Sequence, residues 1–321
     1  MRVSVVVPTF NEADHLPGLL EALAAQTQRP HEVIVADASS TDGTPEMARR
    51  AGCRVVRGGL PAAGRNAGAA VAEGELLLFL DADVRPAPDF LELARAEFSL
   101  CGCVVATCPI EPLEPGALNA LLAHIANLYL EIMRPISPHA PGSCILCLRS
   151  VHEAIGGFDE SLRLAEDHDY VRRAAEHGRF CVLGSVAIPT SLRRVETEGL
   201  VSLALKYLYA ELHALAGVPM RELPFDYEFG VHGQRAEENR SRVLEGMARL
   251  RRELPELGNP LERLSGRARA LLDDLAVLTD PATIMARIEE RLEAADIDVL
   301  DRYLLGRLRG LHDRPRADDE G

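Results

Sequence analysis

The chain has 321 residues, of which 47% are hydrophobic and 26% charged, and its formal net charge is -14. That composition is globular, with room for one large domain plus an extension or for two domains. So acidic a chain excludes a nucleic-acid partner gripped through its phosphates, which calls for a basic face. No run reaches the roughly 20 apolar residues of a spanning helix. The 7 cysteines come without a secretory leader, which points to a reducing, cytoplasmic setting.

In chain order, Val3-Ser4-Val5-Val6-Val7 reads as a β-branched strand bounded by Pro8. A polar turn, Thr9 to Glu12, leads to a helix from about Asp14 to Ala25 with Leu16, Leu19, Leu20 and Leu23 at helical spacing. Glu32 to Ala36 is a second strand with Asp37 at its end, and residues 38–43 form a turn rich in side-chain acceptors. Thr44 and Pro45 suit an N-cap and first helical position, and that helix ends at Gly52. Arg54-Val55-Val56 is a short third strand. Residues 64–74 then read as a short helix and a Gly turn. The apolar run Leu76 to Leu80 follows, continuous enough for a strand buried on both faces.

Asp81 and Asp83 close that run. If the extended geometry persists, alternation sends both to one side, beyond the carboxyl end of a strand where α/β sheets bind ligands. Two such carboxylates suit a hard divalent cation, which takes oxygen ligands together with substrate phosphates. An Asp-rich turn is the plain alternative. Farther on, Gly102 to Cys108 reads as a strand. Gly116 to Arg134 is an amphipathic helix whose stripe is Leu118, Leu121, Leu122, Ile125, Leu128, Tyr129 and Ile132. Core packing is the favoured reading of that stripe, with contact to lipid or a lipid-linked acceptor as the alternative. Cys144 and Cys147 have zinc-like spacing, but Cys101 and Cys103 do not complete a zinc ribbon, so they read as strand residues. Leu200 to Ala216 is a second amphipathic helix, for which core packing is again the favoured reading and peripheral membrane contact the alternative.

The order of motifs carries a resemblance. Val7-Pro8-Thr9-Phe10-Asn11-Glu12, Asp37-Ala38-Ser39-Ser40-Thr41-Asp42-Gly43-Thr44, Gly64-Arg65-Asn66-Ala67-Gly68 and Leu80-Asp81-Ala82-Asp83 follow one another. Gly156-Gly157-Phe158-Asp159-Glu160 and Glu166-Asp167-His168-Asp169 come later. Together they resemble the family 2 glycosyltransferases of the GT-A fold, over about the first two-thirds of the chain. The expected architecture is therefore an α/β GT-A domain over residues 1–225, Rossmann-like with a mostly parallel sheet. A helical extension over 226–313 and a disordered tail over 314–321 follow.

The resemblance implies roles. Pro8, Thr9, Glu12 and Asp37 would hold base or ribose, Arg65 the diphosphate region, and Asp81 the ribose or a metal-bound water. Asp83, with Asp81, would hold Mg²⁺ or Mn²⁺. Asp167 has the position of the general base that takes the acceptor hydroxyl's proton during a single inverting displacement. Gly142, Ser143, Glu166 and His168 would lie on the acceptor side, and Arg193 and Arg194 would close over the diphosphate. The plain alternatives are an Asx-turn for Asp37, a surface ion pair for Arg65 and an acidic helix start for the Glu166 segment. The expected partners are a nucleotide-diphosphate sugar and a hydroxyl acceptor, lipid-linked or soluble, at the cytoplasmic face of a membrane or free in the cytoplasm. A catalytically idle nucleotide- or partner-binding module is the alternative function. A nucleotidyl transferase is a third reading, and Pro8-Thr9-Phe10-Asn11 lacks the Gly-rich basic loop it would use. Processive polymerisation is disfavoured because the Gln-x-x-Arg-Trp motif is missing and the chain has no Trp.

Overall fold

The computed structural model describes residues 1–134, 137–191 and 193. The expected helix at 200–216, the extension, the tail and Arg194 lie outside the described residues.

Among the described residues the strands are, in chain order, β1 (Val3–Thr9), β2 (Glu32–Asp37), β3 (Arg54–Arg57), β4 (Leu76–Leu80), β5 (Cys103–Thr107), β6 (Ile110–Pro112), β7 (Cys144–Leu148), β8 (Arg179–Val182) and β9 (Ile188–Thr190). The helices are α1 (Leu16–Ala24), α2 (Thr44–Arg50), α3 (Pro61–Ala69), α4 (Phe90–Leu100), α5 (Ala117–Met133), α6 (Arg149–Ala154) and α7 (Glu166–Ala175). Seven strands form one sheet in the order β3-β2-β1-β4-β7-β5-β8, and β6 and β9 pair in a small parallel ribbon. β7 runs antiparallel to both its neighbours, β4 and β5; the other pairs in the large sheet are parallel. This is the mostly parallel sheet flanked by helices that the strand–helix rhythm predicts.

The alternation of β1 and β4 builds two cores. Val5, Val7, Leu76, Leu78 and Leu80 face one side, where α1 and α4 cover them with Leu16, Leu19, Leu23, Phe90 and Phe98. Val6, Leu77 and Phe79 face the other, under Ala62 and Ala69 of α3 and Tyr170, Val171 and Ala174 of α7. Each fully buried Leu or Phe is worth about 1.5–3 kcal/mol of transfer free energy. A strand buried on both faces therefore anchors the domain, and β4 is buried at all five positions.

Glycine lets α3 approach the sheet. A Cβ on Gly68 would lie 2.3 Å from Val6 Cγ1, and one on Gly64 would lie 3.1 Å from Pro8 Cβ. A side chain at Gly68 would collide and one at Gly64 would crowd Pro8, so α3 lies directly on β1 and carries Arg65 to the ends of β1 and β4.

Several expectations need correction. β4 stops at Leu80, and Ala82 and Asp83 lie in a turn, so the extended alternation does not carry through Asp81 and Asp83. Residue 43, a glycine with φ of 91°, precedes α2, and Thr44 is its first residue. The α5 stripe is packed only in part: Leu121, Ile125 and Tyr129 are exposed at 44%, 43% and 37%, while Leu122 and Leu128 are half-buried. The helix buries a different side, through Ala123, Leu130 and Met133, while Asn127 bonds both the N–H and the carbonyl of Ile110. The thiols are not all free either, because Cys103 on β5 and Cys181 on β8 form a disulfide. No described helix is long and apolar enough to cross a membrane.

Candidate active site

The centre of the site is Arg65, on the buried side of α3. An arginine on a nine-residue helix would ordinarily keep its charge in water, yet Arg65 is 3% exposed. Its Nη2 donates to Asp81 Oδ1 at 3.1 Å and to the Gly142 carbonyl at 3.3 Å. Its Nη1 donates to Glu166 Oε1 at 2.9 Å. The Phe158 ring lies under the guanidinium at 5.4 Å. Burial works against the charge, but Asp81, Glu166 and Asp167 outweigh it and hold the guanidinium firmly protonated. The surface ion pair that the sequence allows for Arg65 is thus excluded by its burial. One fixed cation ties the end of β4 to the first turn of α7.

Glu166 and Asp167 open α7, where the helix dipole favours negative charge. Ala165 precedes them in the left-handed region, with φ of 57°. Burial, and then the charge of Asp167, push the Glu166 carboxyl up, against the opposing pull of Arg65. Asp167 Oδ1 accepts from the His168 N–H at 2.9 Å. Its Oδ2 lies 3.2 Å from where a Cβ on Gly142 would stand, and Arg65 Nη2 lies 2.4 Å from that same point. Gly142 is therefore the bare backbone that lets Arg65 and Asp167 flank one spot. Ser143, next to it, is buried, and its Oγ has no hydrogen-bond partner among the described residues. His168 continues from Asp167 into a ring series, 4.7 Å from His139, which is 5.1 Å from Tyr129 of α5.

A second arginine serves the other aspartate. Arg193 Nε lies 3.1 Å from Asp83 Oδ2, and Arg193 Nη2 donates to Glu12 Oε1 at 2.8 Å. Glu12 Oε2 is buried with no hydrogen-bond partner among the described residues. Glu12 is held from the backbone side, its N–H donating to Thr44 Oγ1 at 3.0 Å. Asp37 and Thr9 stand at the ends of β2 and β1. Asp37 accepts from Thr9 Oγ1 at 3.2 Å and from the Ser40 N–H and Oγ at 2.9 and 2.6 Å. Asp37 is thus the acceptor of an Asx-type turn. Pro8 is buried beneath Gly64 of α3.

The structure brings Arg65, Asp81, Gly142, Glu166 and Asp167 into one cluster, and Glu12, Asp83 and Arg193 into another. Pro8, Thr9 and Asp37 sit at neighbouring strand ends. Asp83 and Glu12 offer carboxylate oxygens, the donor type that a hard divalent cation takes together with phosphate and water, while Asp81 belongs to the Arg65 cluster. The Arg193 guanidinium already places positive charge against Asp83. Sequence reading did not single out Asn66 or Phe158 as supports. Asn66 accepts from the Phe158 N–H at 2.8 Å and donates to the Phe158 carbonyl at 2.9 Å, which fixes the ring under Arg65. The signal was present, since Asn66 and Phe158 belong to the two quoted Gly motifs.

The mostly parallel sheet flanked by helices is the GT-A fold found in solved glycosyltransferase structures. Residues 4–156 match the model of the glycosyl transferase family 2. Glycosyltransferase AglE of Haloferax volcanii is 28% identical over 189 residues, which cover 55% of this chain and 62% of that one. The pre-mycofactocin glycosyltransferase of Mycobacterium tuberculosis is 28% identical over 55% of this chain and 39% of its own length. Among solved structures, a mannosyltransferase from Pyrobaculum calidifontis in complex with GDP-Man and Mn²⁺ superposes with a TM-score of 0.56 at 21% identity. That match covers 92% of this chain and 81% of that one. Residues 4–156 are a family 2 glycosyltransferase domain. The chain spans less than two-thirds of the length of both these curated relatives.

Proposed function

We propose that the protein transfers a sugar from a nucleotide-diphosphate donor to a hydroxyl acceptor, with inversion and with the help of a divalent cation. The observation that carries this reading is the Arg65 cluster. It gathers Asp81, Glu166 and the neighbouring Asp167 around the bare backbone of Gly142, at the carboxyl end of β4. Family membership supports sugar transfer, and the mannosyltransferase with this fold was solved with a nucleotide sugar and Mn²⁺.

In this reading Pro8, Thr9 and Asp37 line the nucleoside side, and Glu12 accepts from the ribose through its unpartnered Oε2. Asp83, with Asp81, would hold Mg²⁺ or Mn²⁺, whose chemistry is to neutralise the departing diphosphate as a Lewis acid. Arg193 moves from Asp83 toward the phosphates, joined by Arg194. Asp167 takes the proton of the acceptor hydroxyl as its oxygen bonds to the anomeric carbon and the bond to the diphosphate breaks. Gly142, Ser143, Glu166 and His168 contact the acceptor, with Ser143 Oγ as a donor in need of a partner. The exposed Leu121, Ile125 and Tyr129 offer an apolar edge on the same side, where a lipid tail on the acceptor would lie.

The test is donor turnover against a panel of sugar nucleotides, with Mn²⁺, with Mg²⁺ and with chelator, alongside calorimetry of the same donors. Turnover and donor affinity that both rise with metal support the reading. Donor binding with no turnover under any acceptor class, water included, would favour the idle binding module.

A further inference from the structure

Away from this site, at the far end of the sheet, three sulfurs meet. Cys101 ends α4, Cys103 opens β5 and Cys181 lies on β8. Their Sγ atoms all lie within 4.8 Å of one another. Two of them, Cys103 and Cys181, are buried and joined as a disulfide. The third is not needed by that staple. Its position follows from Gly102, whose φ of 62° turns the chain so that Cys101 and Cys103 share one side. Cys101 is a free thiol and is partly exposed.

We propose that Cys101, Cys103 and Cys181 form a thiolate site for a soft d¹⁰ cation of the zinc class when the Cys103–Cys181 disulfide is reduced. Zn–S bonds of about 2.3 Å set ligand sulfurs about 4 Å apart. The three sulfurs already lie within such a range of one another, and only the bonded pair must part. An external dithiol supplies two electrons and two protons to the disulfide and leaves as its own disulfide, so that three thiols result. The cation then displaces three protons as it binds three thiolates. Three thiolates and one divalent cation leave one negative charge. The Arg179 guanidinium stands beside it, donating to the Cys101 carbonyl at 3.2 Å. The partial exposure of Cys101 gives the cation its entry, and a water completes four-coordination. The other close sulfur pair, Cys108 and Cys144 at 3.7 Å, is fully buried and has no third sulfur within the same reach.

The experiment uses the full chain, reduced with dithiothreitol, desalted under anaerobic conditions and titrated with Cd²⁺. The ultraviolet thiolate-to-cadmium band and the melting temperature are read together. The expected result is one cadmium per reduced chain, a band of three-thiolate intensity and a rise in melting temperature. The oxidised chain gives no such band. Cys101→Ser, which leaves the disulfide intact in the oxidised protein, melts like wild type before reduction. After reduction it binds cadmium roughly 10–100-fold more weakly, a loss of the size seen when even an outer-shell partner is removed. Cys108→Ser binds like wild type. The proposal is overturned by equal cadmium affinity in Cys101→Ser and wild type, by loss of the band in Cys108→Ser alone, or by a reduced chain that melts and is not restored by cadmium.

Discussion

Replacing Arg65 with Met tests whether one buried cation organises the site. Methionine fills a similar volume against Phe158 but leaves Asp81 and Glu166 without their partner. Removing one member of a buried ion pair costs about 3–5 kcal/mol, because the other charge stays buried and uncompensated. Asp81 is 40% exposed, so solvent screens it and its share is small. Glu166 is 16% exposed and carries most of the loss, which places the expected value near the lower bound, about 3 kcal/mol. For a domain of this size that lowers the melting temperature by about 6–12 °C. The sign of the pH dependence follows from Glu166. Its carboxyl is raised by burial and by Asp167 even in the wild type, and losing Arg65 raises it further. A group whose folded pKa is raised favours folding below its unfolded pKa, and that contribution is lost as pH rises toward the folded value. The deficit of Arg65→Met should therefore be largest near neutral pH and shrink as pH falls toward about 5. Denaturant unfolding at both pH values measures it. A deficit below about 1 kcal/mol, or one that does not change with pH, would refute the claim that Arg65 offsets a buried acidic cluster.

Three further outcomes follow. Asp167→Asn keeps the shape of the helix start and removes the proposed base. Transfer should fall by about 10²–10⁴-fold, with donor affinity by calorimetry near wild type, and a near-wild-type rate would move the role to Glu166 or Asp169. Gly142→Ala places a methyl 2.4 Å from Arg65 Nη2, on a guanidinium whose two terminal nitrogens are held by three acceptors. Activity should drop by about tenfold, the effect of a misplacement smaller than 1 Å, and an unaffected rate would show that the guanidinium yields freely. Burial, and then Arg173, lower His152 to about 4, so it stays neutral in the fold while the unfolded chain protonates near 6.5. About 3 kcal/mol of stability is thus present above pH 6.5 and lost as pH falls to 4. His152→Gln should flatten that acid limb in pH-dependent unfolding, and an unchanged slope would remove His152 as its cause.

The parts legible in the sequence are those where one residue type has one local cause. Leu76 to Leu80 reads as a doubly buried strand because no polar residue interrupts it. Gly64 and Gly68 signal close packing, and Val6 and Pro8 are what they pack against. Direction and partnership are not local. Cys144 to Leu148 reads as a strand, but nothing in it says that it runs antiparallel between β4 and β5. The Cys103–Cys181 bond spans 78 residues, and spacing alone does not couple a Cys-Gly-Cys turn to a strand so far away. The α5 stripe misleads for a related reason. Periodicity shows that a helix has an apolar face, yet which side is buried depends on how its neighbour β6 meets it. Arg65 is the extreme case: an arginine reads as exposed until three carboxylates, one of them 101 residues away, are known to surround it.

The two arginines then separate the carboxylates by role. Arg65 is buried on a helix that glycine contacts press against β1, so it is part of the scaffold. Arg193 is 24% exposed and follows the short ribbon strand β9. Glu166 and Asp81 therefore pair with a buried guanidinium, whereas Glu12 and Asp83 share a partly exposed one. The Arg65 guanidinium occupies one oxygen of Glu166 at 2.9 Å and opposes the rise that burial and Asp167 impose on its carboxyl. Asp167 acts on Arg65 through its charge without a direct hydrogen bond to it among the described residues, and its Oδ1 accepts from the His168 N–H of its own helix. On the proposed function the proton goes to Asp167, whose Oδ2 stands 3.2 Å from where a Cβ on Gly142 would be. On the same reading a divalent cation held by Asp83 would take the place of the Arg193 guanidinium, which lies 3.1 Å from its Oδ2.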